Sequence, residues 1–213
     1  MKKQLLALSL VALAGGAQAA TISFSDSYGL ATTNWSQELT LQKFDTTLGH
    51  LNSVTFNYGG DVLTTLRVES LDATSSTITA TSGAALIFGG PLSQTLSIGG
   101  SGNILLSAFD GIIDFGGTSG AIVGPFSASK SETLTLLNAL SAFQGLDTYG
   151  ITVNAQGQTS ASGAGNLLTQ VSTAALAQIT VTYDYSTTTV PEPASMALVG
   201  LGMMGLAAIR RRK

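Results

Sequence analysis

The chain contains no cysteine among its 213 residues. Disulfides, thiolate metal sites and cysteine nucleophiles are therefore excluded. Charge is also scarce, with Asp, Glu, Lys and Arg together making up 10% of the sequence. Histidine and tryptophan occur once each, as His50 and Trp35. With one histidine, a His-based zinc site has no partners. A Ser-His-Asp triad would have to use His50, yet no G-x-S-x-G elbow accompanies it. Proline occurs four times, and two of those, Pro191 and Pro193, stand close to the C-terminus. The basic residues are concentrated at the ends: Lys2, Lys3, Arg210, Arg211, Arg212 and Lys213 leave only Lys43, Arg67 and Lys130 between them. Eleven of the twelve acids lie in that middle stretch, so its net charge is close to −8. A body so acidic is a poor partner for nucleic acid or for an anionic membrane surface.

What is present is ordered most clearly at the ends. Lys2 and Lys3 precede an apolar run from Leu5 to Leu13, and Ala17-Gln18-Ala19 follows. A positive start, a short apolar stretch and an A-x-A triplet make a secretory signal peptide over residues 1–19. Cleavage is expected after Ala19, with Ala17 and Ala19 at the small-residue positions and Ala20 as the new N-terminus. Signal peptidase is thus an expected partner.

At the other end, Val190-Pro191-Glu192-Pro193 leads into Ala194–Ile209, sixteen residues without a charge, and then Arg210-Arg211-Arg212-Lys213. Each proline disfavours helix in the residue before it. A helix over 194–209 would rise roughly 24 Å at about 1.5 Å per residue, short of the ~30 Å hydrocarbon core. Arginine stems can snorkel to the interface to make up the difference. The expectation is a single transmembrane helix, with the basic cluster at 210–213 kept on the cytoplasmic side as a membrane stop. Residues 186–193 are then a linker carrying the Pro-Glu-Pro motif.

Between the ends, residues 20–185 read as an all-β domain. Val54, Phe56 and Tyr58 alternate with Thr55 and Asn57. So do Val62, Thr64, Leu66 and Val68, then Leu92, Gln94, Leu96 and Ile98, and finally Ile179, Val181, Tyr183 and Tyr185. Period-2 alternation marks strands with one buried face. Shorter strands are expected at 77–81, 104–109, 121–126, 133–137 and 149–153. Turns are expected at Gly59-Gly60-Asp61, Gly89-Gly90-Pro91, Ser101-Gly102-Asn103, Gly116-Gly117 and Gly157. Residues 131–143 could instead form a helix, and 158–165 a loop or edge ribbon. Many short strands with Gly-rich turns predict a two-sheet sandwich of jelly-roll type.

Few residues in this body carry chemistry. Asp110 and Asp114 are four apart, about 13 Å along a strand, and only a loop could bring them together for calcium. Gly99-Gly100-Ser101-Gly102 lacks the lysine and helix of a phosphate cradle and reads as a turn. Trp35 reads as core before it reads as a sugar platform. No catalytic, metal or cofactor-binding residue is expected, and no cofactor. A non-enzymatic surface role comes first. A carbohydrate-binding module comes second, and a secreted hydrolase third, because paired carboxylates can be distant in sequence.

Two resemblances sharpen these expectations. The Val-Pro-Glu-Pro start, the short Gly-rich apolar span and the terminal Arg cluster resemble the PEP-CTERM sorting signal of Gram-negative bacteria. That resemblance implies recognition by an exosortase, processing near Pro191–Pro193, and a transient inner-membrane stage. It further implies final placement at the cell surface or extracellular matrix of biofilm-forming cells, with exopolysaccharide as a possible partner. Lys43-Phe44-Asp45-Thr46-Thr47-Leu48-Gly49-His50-Leu51 followed by Val54-Thr55-Phe56, with Val181-Thr182-Tyr183-Asp184-Tyr185 at the end, resembles the choice-of-anchor E domain. That family implies a β-rich extracellular body and carries no site residue over to this chain.

Overall fold

The computed structural model describes residues 19–187. Eight strands make the body: β1 (Ala19–Thr32), β2 (Trp35–Gln42), β3 (Gly49–Ser70), β4 (Ser76–Phe88), β5 (Gln94–Leu106), β6 (Gly120–Leu136), β7 (Thr148–Ser162) and β8 (Leu167–Thr187). They form two four-stranded antiparallel sheets, β1-β8-β3-β6 and β2-β7-β4-β5. The expected two-sheet sandwich is therefore what the chain forms. The pairings β1–β8, β2–β7, β3–β6 and β4–β5 nest one inside the next, alternating between the sheets. That is a long ribbon rolled up on itself, the jelly-roll wiring.

The alternation read from the sequence sets the faces. Val54, Phe56 and Tyr58 of β3 lie opposite Tyr183, Val181 and Ile179 of β8, and all six are buried. From the other sheet Leu39, Leu41, Leu86, Phe88, Ile151 and Val153 close on them. Burying one such side chain contributes about 1.5–3 kcal/mol, so this apolar interlayer dominates the stability of the body. The residues in between face outward as hydroxyl ladders, with Ser23 opposite Thr182 and Thr55 opposite Thr135. Ser23 and Thr182 share a hydrogen bond of 2.8 Å, Thr55 and Thr135 one of 3.0 Å.

Several expected boundaries fall elsewhere. Gly59-Gly60-Asp61 is not a turn, because β3 runs through it as one strand of 22 residues. Both glycines are sites of close backbone approach. A Cβ on Gly60 would run into the Leu176 carbonyl and the Leu86 side chain, and one on Gly59 into Lys130 and Ser131. Ser101-Gly102-Asn103 likewise lies inside β5, and Gly157 inside β7. The strand expected at 104–109 ends at Leu106 and gives way to a loop. The helix considered for 131–143 is the end of β6 followed by one 3-10 turn, Leu140–Phe143. Of 158–165, the first part completes β7 and the rest is turn. Gly89-Gly90-Pro91 and Gly116-Gly117 do lie outside strands.

Candidate functional site

The two ends of the described body meet. Ala19 pairs with Ser186 and Ala20 with Tyr185, while Gly49 pairs with Thr187. The start of β1 and the end of β8 therefore leave one end of the sandwich side by side. Ala19 and Ala20, the expected signal-cleavage pair, are ladder residues there. Ala17, the sorting residues Val190 to Pro193, the expected helix over 194–209 and Arg210, Arg211, Arg212 and Lys213 lie outside the described residues.

This end is sealed by aromatic rings. Phe44 sits between Tyr183 and Tyr185, with centroids 5.8 and 5.1 Å away. Phe143 bridges Phe56 and Tyr149 at 5.6 and 5.5 Å. The Tyr183 hydroxyl donates to the Gln42 carbonyl at 2.8 Å and lies 3.3 Å from the Tyr149 hydroxyl. Burial pushes both phenols above their ordinary pKa, and for Tyr149 the hydrogen bond with Tyr183 adds to the shift. Lys43 clamps the margin through Asp147 at 3.0 Å, which holds the Asp147 carboxyl below its usual range. On the outer surface His50 is exposed, with Nδ1 3.4 Å from Asn52 Oδ1. Asn52 in turn donates to Asp184 and Ser186, each at 3.0 Å. His50 thus belongs to a polar ladder across β3 and β8.

The opposite end is built differently. Its core is a second, smaller cluster of Leu66, Val68, Ile78, Ala80 and Leu106. The acids here hold backbone. Glu69 is fully buried and accepts from Ser119 Oγ at 2.6 Å and from the Phe115 amide at 2.7 Å. Asp72 accepts from the amides of Gly165 and Asn166. In the loop between β5 and β6, Asp110 accepts from the Ile112 amide at 3.0 Å and Asp114 from the Gly116 amide at 2.8 Å. Each closes its own local turn. Among the described residues no group of three or more His, Cys, Asp or Glu side chains is placed to hold a metal ion.

Between the facing edges of β5 and β6 lies a cleft of about 340 Å³. Val62 and Leu66 of β3, Ala80 and Ser82 of β4, Ile104 of β5 and Phe126 of β6 are among its walls, and no charged residue is. The Ser82 hydroxyl is buried there without a hydrogen-bond partner. Gly100 and Gly102, set aside in the sequence as turn glycines, share the inward face of Leu96, Ile98, Ile104 and Leu106. None of these residues stood out from sequence as the wall of a cleft. The readable signal was the unbroken period of two from Leu96 to Leu106, which passes through both glycines. Trp35 is half-buried, packs against the main core and meets Tyr28 edge-on at 4.7 Å. Its placement fits the core reading.

No curated protein matches this chain at a significant level. Among solved structures, T=1 particles derived from infectious bursal virus share 14% identity over 87% of this chain and 41% of theirs, with a TM-score of 0.20. The Gx strain of infectious bursal disease virus gives 11% identity over 94% of this chain and 52% of that one, with a TM-score of 0.17. The VP2 subviral particle of that virus gives 12% over 98% and 54%, with a TM-score of 0.18. The chain spans about half the length of these structures or less, and likeness of this order says nothing about what it does. The C-terminus is different, because residues 189–213 match the family described as PEP-CTERM protein-sorting motif. The chain therefore carries an exosortase-type sorting motif behind a β-sandwich body, as an exported protein sorted to the cell surface.

Proposed function

We propose that the sandwich is a non-enzymatic structural or adhesive component of the exopolysaccharide envelope. On this reading it is a choice-of-anchor E-like body, cut by signal peptidase after Ala19 and by exosortase within Val190–Pro193. The helix over 194–209 is then a transient membrane stop. The observation that carries the reading is the shared exit of β1 and β8. A body whose two ends leave together stands on the membrane by one end, with its opposite end directed outward. From Gly49 to Val62 along β3 is thirteen residues, roughly 40 Å at about 3.3 Å per residue, so the cleft would be held well clear of the bilayer.

The basic cluster supplies most of the arrest, since moving four charges through a bilayer is costly. Gly202, Gly205, Ala207 and Ala208 weaken the grip of the span itself compared with a Leu-rich helix. The test is the intact mass and glycan profile of the protein from an exosortase-positive host. The expected mass begins at Ala20 and lacks Arg210–Lys213. A mature protein that keeps Arg210–Lys213 would make the helix a permanent anchor and overturn the sorting step. Neutralising 210–213 should let the chain escape unprocessed, and alanines at Pro191–Pro193 should leave a full-length, membrane-held form.

A further inference from the structure

Two kinds of strand glycine contrast in this fold. At Gly49, Gly59, Gly60, Gly83 and Gly99 an added Cβ would collide with backbone. At Gly100 and Gly102 it would meet nothing within 4 Å, and neither residue has a positive φ. The backbone therefore does not require glycine at 100 or 102. Both face inward, on strand positions whose neighbours Ile98 and Leu106 are buried. What the missing side chains leave behind is the cleft.

From this geometry we infer that the cleft between β5 and β6 is a binding site for a neutral small molecule with an apolar body and one hydrogen-bonding group. Its walls bear no charge, so an ion gains nothing there. Val62, Leu66, Ala80 and Ile104 offer apolar contact, and Phe126, 52% exposed, stands at the mouth. A volume of about 340 Å³ is within the range of small-ligand pockets. The Ser82 hydroxyl is the one buried side-chain group in the cleft left without a partner. A ligand hydroxyl or carbonyl would complete it. A glycan fits less well, because sugars present polar groups all round, and of the polar lining residues Thr64, Ser82, Ser101, Asn103 and Ser127, Thr64 is already bonded to Thr173 and Asn103 to Thr79.

The test uses the full-length chain. Having no cysteine of its own, it reports one place when one thiol is introduced. Gly102→Cys puts the thiol in the cleft, with Gly100→Cys as a second reporter. Gly29→Cys, equally unobstructed, puts it on β1 outside the cleft. Labelling by neutral, apolar N-phenylmaleimide is compared with labelling by a sulfonated maleimide. The preference for the neutral reagent should be at least about tenfold greater at 102 or 100 than at 29, because the uncharged cleft favours an apolar body. Cyclohexanol should slow labelling in the cleft alone, and adding Ser82→Ala should weaken that protection about threefold to tenfold, as expected for one hydrogen bond. Equal preference at all three positions would overturn the site. Protection by maltose rather than cyclohexanol would overturn the ligand class. Neither result depends on how the C-terminal tail is processed.

Discussion

The end of the sandwich from which β1 and β8 emerge and the end that carries the cleft are made by the same strands, yet only the first is filled. Strand β3 sends Val54, Phe56 and Tyr58 into the first and Leu66 and Val68 into the second. What differs is what faces them. The first end receives Phe44, Phe143, Tyr149 and Tyr183, with Phe44 tilted against Tyr183 and Phe143 edge-on to Tyr149. The second receives Ala80, Ser82, Gly100 and Gly102, too small to close the gap. Strand pairing sets where the two sheets run, and side-chain volume decides where they close. A closed, buried interlayer at one end and an open cleft at the other follow from residue size along an otherwise regular ladder.

The largest expected effect is at the filled end. Phe56→Ala removes a ring that is fully buried between the sheets and in contact with Phe143. It should cost about 3–5 kcal/mol, the usual range for Phe→Ala in a core, read as a fall in the urea midpoint. The matching change at the other end, Leu66→Ala, should fall near the lower limit of about 2 kcal/mol, since its cavity merges with an existing cleft. If the two cost the same, the contrast in packing is wrong.

Next comes the polar bracing of the cleft end. Glu69→Ala leaves the Ser119 hydroxyl and the Phe115 amide without their acceptor. About 1–3 kcal/mol should be lost, the penalty for leaving buried donors unpaired. Hydrogen exchange should rise first in the loop at 107–119. Exchange that rises evenly over the whole body would mean that this end has no stability of its own to lose.

A smaller effect, at the filled end, depends on pH. Tyr149 and Tyr183 have pKa values raised by burial from an ordinary 10.0. Above about pH 10 the unfolded chain sheds these protons and the folded one keeps them, so the folded state then binds more protons and stability falls as pH rises. Below that pH the contribution is fully present. Melting temperature should hold up to about pH 10 and then decline, and Tyr149→Phe with Tyr183→Phe should flatten that decline. An unchanged decline in the double variant would place its origin elsewhere.

How much of this was readable differs between the two ends. The filled end was legible: Val54, Phe56, Tyr58, Val181 and Tyr183 alternate and are core. Strand β1 is faint in the sequence although Ile22 and Phe24 alternate with Thr21, Ser23 and Ser25, because one sheet-edge strand with half-buried residues makes a weak pattern. Glycine pairs misled the boundaries. A turn would interrupt the period of two, yet inward positions run from Val54 to Val68 through Gly60, and from Leu96 to Leu106 through Gly100 and Gly102. The unbroken parity was the better guide, and glycine alone could not say whether it marked a bend, a close approach or a space. The cleft was illegible for a further reason. It is lined from β3, β4, β5 and β6, and only the tertiary fold sets those strands face to face.

The smallest expected effect separates the last two meanings of glycine. Gly102→Val adds a β-branched side chain to a strand position with open space before it and no positive φ. Valine suits a strand better than glycine does, and it restricts the unfolded chain. Stability should therefore stay level or rise by about 0.5 kcal/mol, the scale of changes that break nothing. Gly60→Ala, by contrast, should be destabilising by about 1–3 kcal/mol, because its methyl overpacks against the Leu176 carbonyl and Leu86. Both are read from urea midpoints at constant slope. If Gly102→Val also destabilises the fold by more than about 1 kcal/mol, glycine at 102 is needed by the backbone, and the cleft is a by-product of folding. If it is neutral or stabilising while closing the cleft to apolar reagents, the chain forgoes available packing at the end farthest from where β1 and β8 emerge. Such a gap is not explained by the needs of the fold.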